Sequence, residues 1–179
     1  MRIVVADLEM TDFKSDIGSL RVACFAELNS NGDIQKIETR DILDFNGEER
    51  GLERWIVKKI KQSDILIGHN IDGYDRTWMR GAAERADHHM LPKRFYIDTM
   101  QVAQYGLKGR LSSYSLENVG KFFKLSIEKD HPTIEDWRLC NDKIPRGVKR
   151  IRKRCVIDVQ LNVLVWNKLK PYWFEWRGK

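Results

Sequence analysis

Four acidic residues of this sequence occur in contexts that suit the binding of a divalent metal ion. Asp7 and Glu9 close an apolar, strand-type run, and Asp75 follows a second such run. Asp158 lies in a helical pattern near the end of the chain. Because side chains alternate along a strand, Asp7 and Glu9 point to the same side, where two carboxylates repel each other unless a cation lies between them.

The chemistry of these four residues is that of hard oxygen ligands, which suit Mg²⁺ or Mn²⁺ rather than zinc. A strand-borne pair of acids with further acids far along the chain meets the requirements of a two-metal site for phosphoryl transfer. Asp7, Glu9, Asp75 and Asp158 are therefore the candidate metal ligands and catalytic residues.

The strands that would position these acids can be predicted from hydrophobic patterning. Apolar runs predict strands at residues 2–9 and 64–68. Alternating residues from 20 to 28, a turn at Asn31-Gly32 and a return over 34–39 predict a β-hairpin. A further short strand is expected at Phe95-Tyr96-Ile97.

Helical spacing of apolar residues predicts the remaining elements. One helix precedes residue 64, and a second begins at Asp75. Asp98 and Ser115 are suited to cap two more. Residues 126–145, with Pro132 and Pro145, are predicted to be irregular and exposed. The last helix is predicted to run from about Gly147 to Leu169 and to end before Pro171.

The length and composition predict one α/β domain over residues 1–179, with a mixed β-sheet and flanking helices. The chain has 179 residues, 42% of them hydrophobic and 32% charged, which suits one domain with a sizeable core. Its apolar stretches are too short for a membrane span. Three widely spaced cysteines predict neither a disulfide framework nor a zinc site, and together with the lack of a secretory leader they favour a cytoplasmic location.

Positive charge is concentrated at the end of the chain. The net charge is +6, and residues 143–179 hold eleven basic and two acidic residues. This distribution predicts a face for a polyanion, with Lys149, Arg150 and Arg152 as candidate phosphate contacts. A solvated helix face is the alternative. The aromatic and basic tail, residues 166–179, is predicted to pack on the body, with base stacking as its alternative.

Three motifs together resemble the DEDD-type 3′–5′ exonucleases of the ribonuclease H-like superfamily. They are Asp7-Leu8-Glu9, Gly68-His69-Asn70 followed by Tyr74-Asp75, and the run from Cys155 to Val159, in this order over about 150 residues. The resemblance implies a ribonuclease H-like fold and a metal-dependent exonuclease that acts on a single-stranded 3′ end. It favours DNA over RNA, because the chain looks more like the proofreading and phage-type branches than the small oligoribonucleases.

The resemblance also implies roles for individual residues. Asp7, Glu9 and Asp158 would ligate one Mg²⁺ or Mn²⁺ ion, Asp7 would bridge to a second ion, and Asp75 would act through coordinated waters. The remaining implied contacts are to the nucleic acid or to Asp75: Met10 and Thr11 would receive the terminal nucleotide, and Asn70 and Tyr74 would support Asp75.

One position departs from the pattern of the family. The branch that this chain resembles has a tyrosine four residues before the last aspartate, where Arg154 stands here, and a sister branch has a histidine at the position of Lys153. Arg154 could pair with Asp158 one turn away, act in catalysis by holding a phosphate oxygen or stabilising transition-state charge, or face solvent, but a guanidinium cannot act as a base. His131 is the candidate substitute for the missing base, whereas His69 is expected to be a packed strand-end residue.

These observations leave three other functions open. A catalytically weakened member of the same fold would bind nucleic acid without hydrolysing it, which the arginine at position 154 favours. A metal-dependent endonuclease would cut hybrids or structured junctions, and an exoribonuclease would degrade RNA. No residue pattern identifies a polymerase, another replication partner or an oligomeric state.

Overall fold

The described part of the chain, in a computed structural model, comprises residues 1–12, 14, 16–87, 91 and 94–178. It contains a five-stranded mixed sheet. The strands are β1 (Ile3–Met10), β2 (Leu20–Leu28), β3 (Ile34–Asp41), β4 (Ile65–Gly68) and β5 (Phe95–Asp98). Their order across the sheet is β3-β2-β1-β4-β5, in which β3 pairs with β2 and β2 with β1 in antiparallel orientation, whereas β1 pairs with β4 and β4 with β5 in parallel.

Six α-helices and one 3₁₀ turn accompany this sheet in the described residues. The 3₁₀ turn spans Ile42–Phe45. The helices are α1 (Glu49–Lys61), α2 (Asp75–Asp87), α3 (Thr99–Gly106), α4 (Leu116–Phe122), α5 (Ile134–Asn141) and α6 (Pro145–Arg177). The predicted hairpin is confirmed as β2 and β3, and the side chains of Asp98 and Ser115 cap α3 and α4 as predicted.

The two faces of β1 are buried in two different hydrophobic clusters. Val4, Ala6 and Leu8 belong to the cluster that includes α1 and α2. Val5 belongs to the cluster that includes α3, α4 and α6. Because side chains alternate along a strand, Asp7 and Glu9 lie on the same face as Val5. They therefore face α6, the helix that carries Asp158.

The last helix is longer than the sequence pattern predicts. The prediction that it ends before Pro171 is wrong, because α6 continues through this proline to Arg177. Pro171 cannot donate a backbone hydrogen bond, which normally weakens a helix interior. Aromatic packing beyond it compensates: Trp173 makes edge contacts with Phe95, and Trp176 stacks on Tyr105. The tail thus packs on the body through Trp173 and Trp176, and residue 179 lies outside the described residues.

The segment 126–145 is also more regular than predicted. It contains α5, so the prediction of an irregular segment is wrong over residues 134–141. Thr133 and Asp136 form a reciprocal capping box that begins this helix. Ile134 is 89% exposed, so the helix begins without the apolar periodicity by which helices are recognised in a sequence.

The structure shows the state of the three cysteines and whether any described helix could span a membrane. Cys24, Cys140 and Cys155 are all buried and free. Among the helices that the structure describes, none combines the length and the apolar character needed to cross a bilayer.

Candidate active site

Asp7 and Glu9 lie where β1 extends beyond its parallel neighbour. Val5 is paired with Ile67, and β4 ends one residue later, so the end of β1 has β2 on one side and an open edge on the other. Glu9 is nevertheless only 6% exposed, because α6 covers it from above the sheet. A strand end of this kind places buried carboxylates beside an opening.

Asp75 is brought to this strand end by a tight loop between β4 and α2. The loop turns at Asn70, which has a positive φ of 60°. A side chain at Gly73 would collide with the Asn70 amide, because an added Cβ would lie 2.6 Å from its Oδ1. At the end of this loop, Asp75 Oδ1 accepts a hydrogen bond of 3.0 Å from the backbone N–H of Leu8, which fixes the carboxylate beside β1.

Asp158 and Arg154 lie one turn apart on α6, and Arg154 links Asp158 to the strand acid Glu9. Arg154 Nη1 donates to Glu9 Oε2 over 3.0 Å, and its Nη2 lies 3.5 Å from Asp158 Oδ2. The guanidinium also stacks over the ring of Trp137, with 5.2 Å between its carbon and the ring centroid. The predicted pairing of Arg154 with Asp158 is thus present, and Arg154 does not face solvent.

Lys129 is a second cation in the site, and the sequence pattern did not indicate it. Its Nζ lies 3.1 Å from Asp158 Oδ2, the same oxygen that faces Arg154. The segment that carries Lys129 is held to α6 by an ion pair, in which Arg150 Nη2 donates to Asp130 Oδ1 over 2.7 Å. No spacing rule links residue 129 to the acidic motifs, so only the folded structure shows this contact.

The donor set of the site fits a divalent metal ion. Three buried carboxylate oxygens have no hydrogen-bond partner, namely Asp7 Oδ2, Glu9 Oε1 and Asp158 Oδ1. Buried polar atoms without partners are rare because their desolvation is costly. One unpaired oxygen from each of three carboxylates is the arrangement that hard cations such as Mg²⁺ and Mn²⁺ complete.

The spacing of these ligands is uneven. Among the described residues, Asp7, Glu9 and Cys155 form the group whose ligand atoms all lie within 4.8 Å of one another, and Asp158 is not in this group. Cys155 donates its thiol hydrogen to the backbone oxygen of Asp7 over 3.4 Å. Burial raises the pKa of this thiol well above its usual range, which disfavours the thiolate that a metal would require.

The electrostatics of the site reflect crowded acids. Burial, and then the charge of Asp158, raises the pKa of Asp7 to about 7. The pKa values of Glu9 and Asp75 are also raised well above their usual ranges, in both cases by burial and then by the charge of Asp7. Without a metal ion, these groups compete with one another for protons.

Neither His69 nor His131 is positioned to act as a water-activating base. Both ring nitrogens of His69 are engaged, Nε2 with the Tyr114 carbonyl at 2.9 Å and Nδ1 with Thr99 Oγ1 at 3.0 Å. Burial lowers the pKa of His69 to about 4, so it is a packed, neutral residue as predicted. His131 pairs with Glu117 over 3.4 Å and does not line the cavity at the carboxylates, so its nomination was wrong.

The carboxylates open into two adjoining cavities. The first, of about 550 Å³, contains all four acids and is also lined by Met10, Asn70 and Tyr74. The second, of about 450 Å³, is lined by Met10, Thr11 and Trp137. Both cavities share Glu9 and Arg154. The four residues predicted to contact the terminal nucleotide or to support Asp75 thus lie at these cavities.

The three predicted phosphate contacts on α6 lie elsewhere. Arg150 pairs with Asp130, as described above, and Arg152 Nη1 donates to Asp41 Oδ2 over 2.7 Å. Lys149 precedes Asp158 by nine residues, about 2.5 helical turns, and so lies on the opposite side of α6. None of the three lines either cavity. Two of them hold α6 to its neighbours instead.

The sheet order, the helices and the strand-end acids together define a ribonuclease H-like α/β fold, which confirms the predicted fold class. The chain is similar to the family B DNA polymerase of the hyperthermophilic archaeon Pyrobaculum calidifontis, with a TM-score of 0.70 and 14% identity. It is also similar to E. coli exonuclease I in complex with a dT13 oligonucleotide, with a TM-score of 0.67 and 12% identity. At these identities the likeness shows the fold.

The extent of the match is asymmetric. The alignment covers 96% of this chain but 25% of the polymerase chain, and 98% of this chain but 43% of the exonuclease chain. This chain therefore spans less than half the length of either protein. No protein-family model matches the sequence, and no curated protein matches it.

Proposed function

We propose that this chain, as one domain over residues 1–179, is a metal-dependent 3′–5′ exonuclease that hydrolyses single-stranded nucleic acid, with DNA favoured over RNA. The observation that carries the proposal is the group of three buried, unpaired carboxylate oxygens at an open cavity. The structural likeness to an exonuclease in complex with dT13 supports the choice of substrate.

Asp7, Glu9 and Asp158 are the proposed direct ligands of Mg²⁺ or Mn²⁺, whether the site holds one ion or the two that the resemblance implies. A divalent ion supplies activation of water and stabilisation of the charge on the attacking and leaving oxygens. Asp75 is held by the N–H of Leu8 at the edge of the cluster, which fits a role through coordinated waters.

The proposed path of the strand follows the two cavities. Met10 offers an apolar contact and Trp137 an aromatic face for the terminal nucleotide, with the backbone at Thr11 beside them. A free, unpaired end presents bases that can stack on such a face, whereas paired bases are already stacked. The two cavities therefore favour a single strand over a duplex.

Arg154 is proposed to hold a non-bridging phosphate oxygen. It lies between the two cavities, where the scissile phosphate must pass, and its planar group of donors matches phosphate geometry. Because it cannot accept a proton, activation of water depends on the metal. Hydrolysis is therefore expected to be slower than in a relative that has a tyrosine here, and faster with Mn²⁺ or at higher pH.

A second candidate function is binding of nucleic acid without turnover. It is favoured by the contacts of Arg154 and Lys129 with the carboxylates, and by the arginine that stands where the family branch has its water-orienting tyrosine. A structure-specific endonuclease and an exoribonuclease use the same ligands and differ in substrate, so the same assay distinguishes them.

The test is hydrolysis of 5′-labelled single strands of DNA and RNA with Mg²⁺ and with Mn²⁺. A 3′–5′ exonuclease produces a ladder of successively shorter labelled products, and Asp7→Asn should abolish it while the circular dichroism spectrum is retained. Lys149→Met, on the far side of α6, is the matched surface control and should leave the ladder unchanged.

Each other outcome identifies a different function. Discrete internal products would indicate an endonuclease, and retention of both strands intact, with binding preserved, would indicate the weakened member. A ladder from RNA alone would indicate an exoribonuclease. Robust activity of Asp7→Asn would remove the basis of the proposal altogether.

A further inference from the structure

We infer that this site, in the absence of substrate, binds one divalent ion per chain, because Lys129 and Arg154 supply the positive charge that a second ion would bring. The inference rests on the proposed function and differs from the resemblance in the number of metal ions, which is one instead of two. It starts from two ion pairs that involve the acids themselves, Arg154 with Glu9 and Lys129 with Asp158.

The first step is the balance of charge. Four ionised carboxylates, Asp7, Glu9, Asp75 and Asp158, carry four negative charges, which two divalent ions would neutralise. Here two fixed cations already neutralise half of that charge. One divalent ion completes the balance, whereas a second would leave the buried cluster with excess positive charge, which is unfavourable away from water.

The second step is the distribution of free oxygens. Arg154 and Lys129 both contact Oδ2 of Asp158, and Arg154 also occupies Oε2 of Glu9. The oxygens left without partners are one on each of Asp7, Glu9 and Asp158. These three buried oxygens suit one ion with waters completing its shell, whereas the two cations already occupy the other oxygens of Glu9 and Asp158.

The third step is that the two cations are held in place. Arg154 is stacked on Trp137 and its side chain is only 19% exposed. Lys129 is 22% exposed, and the residue that follows it, Asp130, is paired with Arg150 on α6. Neither cation can move far into solvent without breaking these contacts, so an incoming second ion would meet two like charges at short range.

The experiment is a titration of the purified, metal-free chain with Mn²⁺, followed by calorimetry and by electron paramagnetic resonance. It is done without a nucleotide, because the negative charge of a bound phosphate would itself recruit a second ion. One Mn²⁺ per chain is expected, without the spin coupling of a paired site. Lys129→Met combined with Arg154→Met should raise the stoichiometry to two.

Matched variants separate charge from folding. Lys129→Arg and Arg154→Lys keep the charge and should stay at one ion, and Lys121→Met removes an exposed cation paired with Glu117 and should also stay at one. If the double variant fails to fold, judged by circular dichroism, Lys129→Met alone should show at least a tenfold tighter second binding event than the wild type.

The outcomes distinguish this inference from the proposed function. Two spin-coupled ions in the wild type, or one ion in the folded neutral variants, would overturn the inference and leave a metal-dependent nuclease intact. Binding of no ion, together with hydrolysis independent of metal, would overturn both.

Discussion

Asp7 is the residue at which folding and the proposed metal binding make opposite demands. Its buried carboxylate lies near Asp158, and its pKa of about 7 is far above the ordinary 3.8. An acid whose pKa is raised in the folded state stabilises that state below its ordinary pKa, and this contribution is lost as the pH rises through the folded value. The metal-free protein should therefore lose stability between about pH 4 and pH 7.

The variant Asp7→Asn tests this conflict at the level of one residue. In the presence of a chelator, it should melt at a higher temperature than the wild type at pH 7.5, because one buried charge is gone. Its melting temperature should also depend less on pH. Mn²⁺ should raise the melting temperature of the wild type at pH 7.5 and leave that of Asp7→Asn nearly unchanged. A wild type whose melting temperature is flat from pH 4.5 to 7.5 would contradict the prediction.

Trp137 allows a second test at the residue scale. If a terminal base stacks on its ring, Trp137→Ala should weaken substrate binding by about 1–3 kcal/mol, the usual value of one base–aromatic stack. The loss should appear in KM more than in kcat, and Trp137→Phe should recover most of it. Because Arg154 also rests on this ring, the Mn²⁺ stoichiometry of the alanine variant must be measured alongside. An unchanged KM would place the base elsewhere.

The individual site residues differ in how far the sequence could reveal them. Asp7, Glu9 and Asp158 could be recognised from the sequence. Burial of an unpaired charge is costly, so an acid within an apolar strand or on the buried side of a helix indicates a binding partner. Lys129 and Trp137 were not, because each reaches the site from a segment whose position depends on contacts with α6. A lysine in a polar stretch looks the same whether it faces solvent or a buried carboxylate.

Among the elements, α6 has the greatest influence on the site, because it carries Asp158 and Arg154 and also packs against the sheet, α3 and α5. The hairpin, the central strands and most of the helices followed from patterning. The end of α6 did not, because the sequence shows the local penalty of Pro171 but not the tertiary contacts of the residues beyond it. Tertiary packing of Trp173 and Trp176 outweighs that penalty.

Pro171→Ala tests whether the helix is continuous in solution. If α6 runs through this position, alanine restores a backbone donor and relieves the clash with the preceding turn. The free energy of unfolding in urea should then rise by about 1–3 kcal/mol. Pro145→Ala is the matched control, since proline is well accommodated in the first turn of a helix and its replacement should change little. A neutral result at position 171 would mean that the helix ends before it, as the sequence pattern alone predicts.

At the scale of the whole molecule, the distribution of charge differs from its appearance in the sequence. The basic run on α6 suggested one continuous face for a polyanion, but Arg150 and Arg152 are paired with acids on neighbouring segments. Charge counted along a helix does not show which side chains are already neutralised. In the structure, the cations at the cavities are Lys129 and Arg154, which come from different parts of the chain.

The dependence of binding on salt decides whether the nucleic acid binds across the two cavities or on the outer face of α6. Binding of an oligothymidine to the metal-free Asp7→Asn protein should weaken with salt, with a log–log slope of roughly −0.7 for each phosphate contacted. If the strand lies across the cavities, adding Arg154→Met should make the slope shallower by about 0.7, because the proposed phosphate contact of Arg154 is lost. Adding Lys149→Met, on the opposite side of α6, should leave it unchanged. The reverse result, a shallower slope with Lys149→Met alone, would show that the strand binds the outer face of α6, and the path through the two cavities would have to be abandoned.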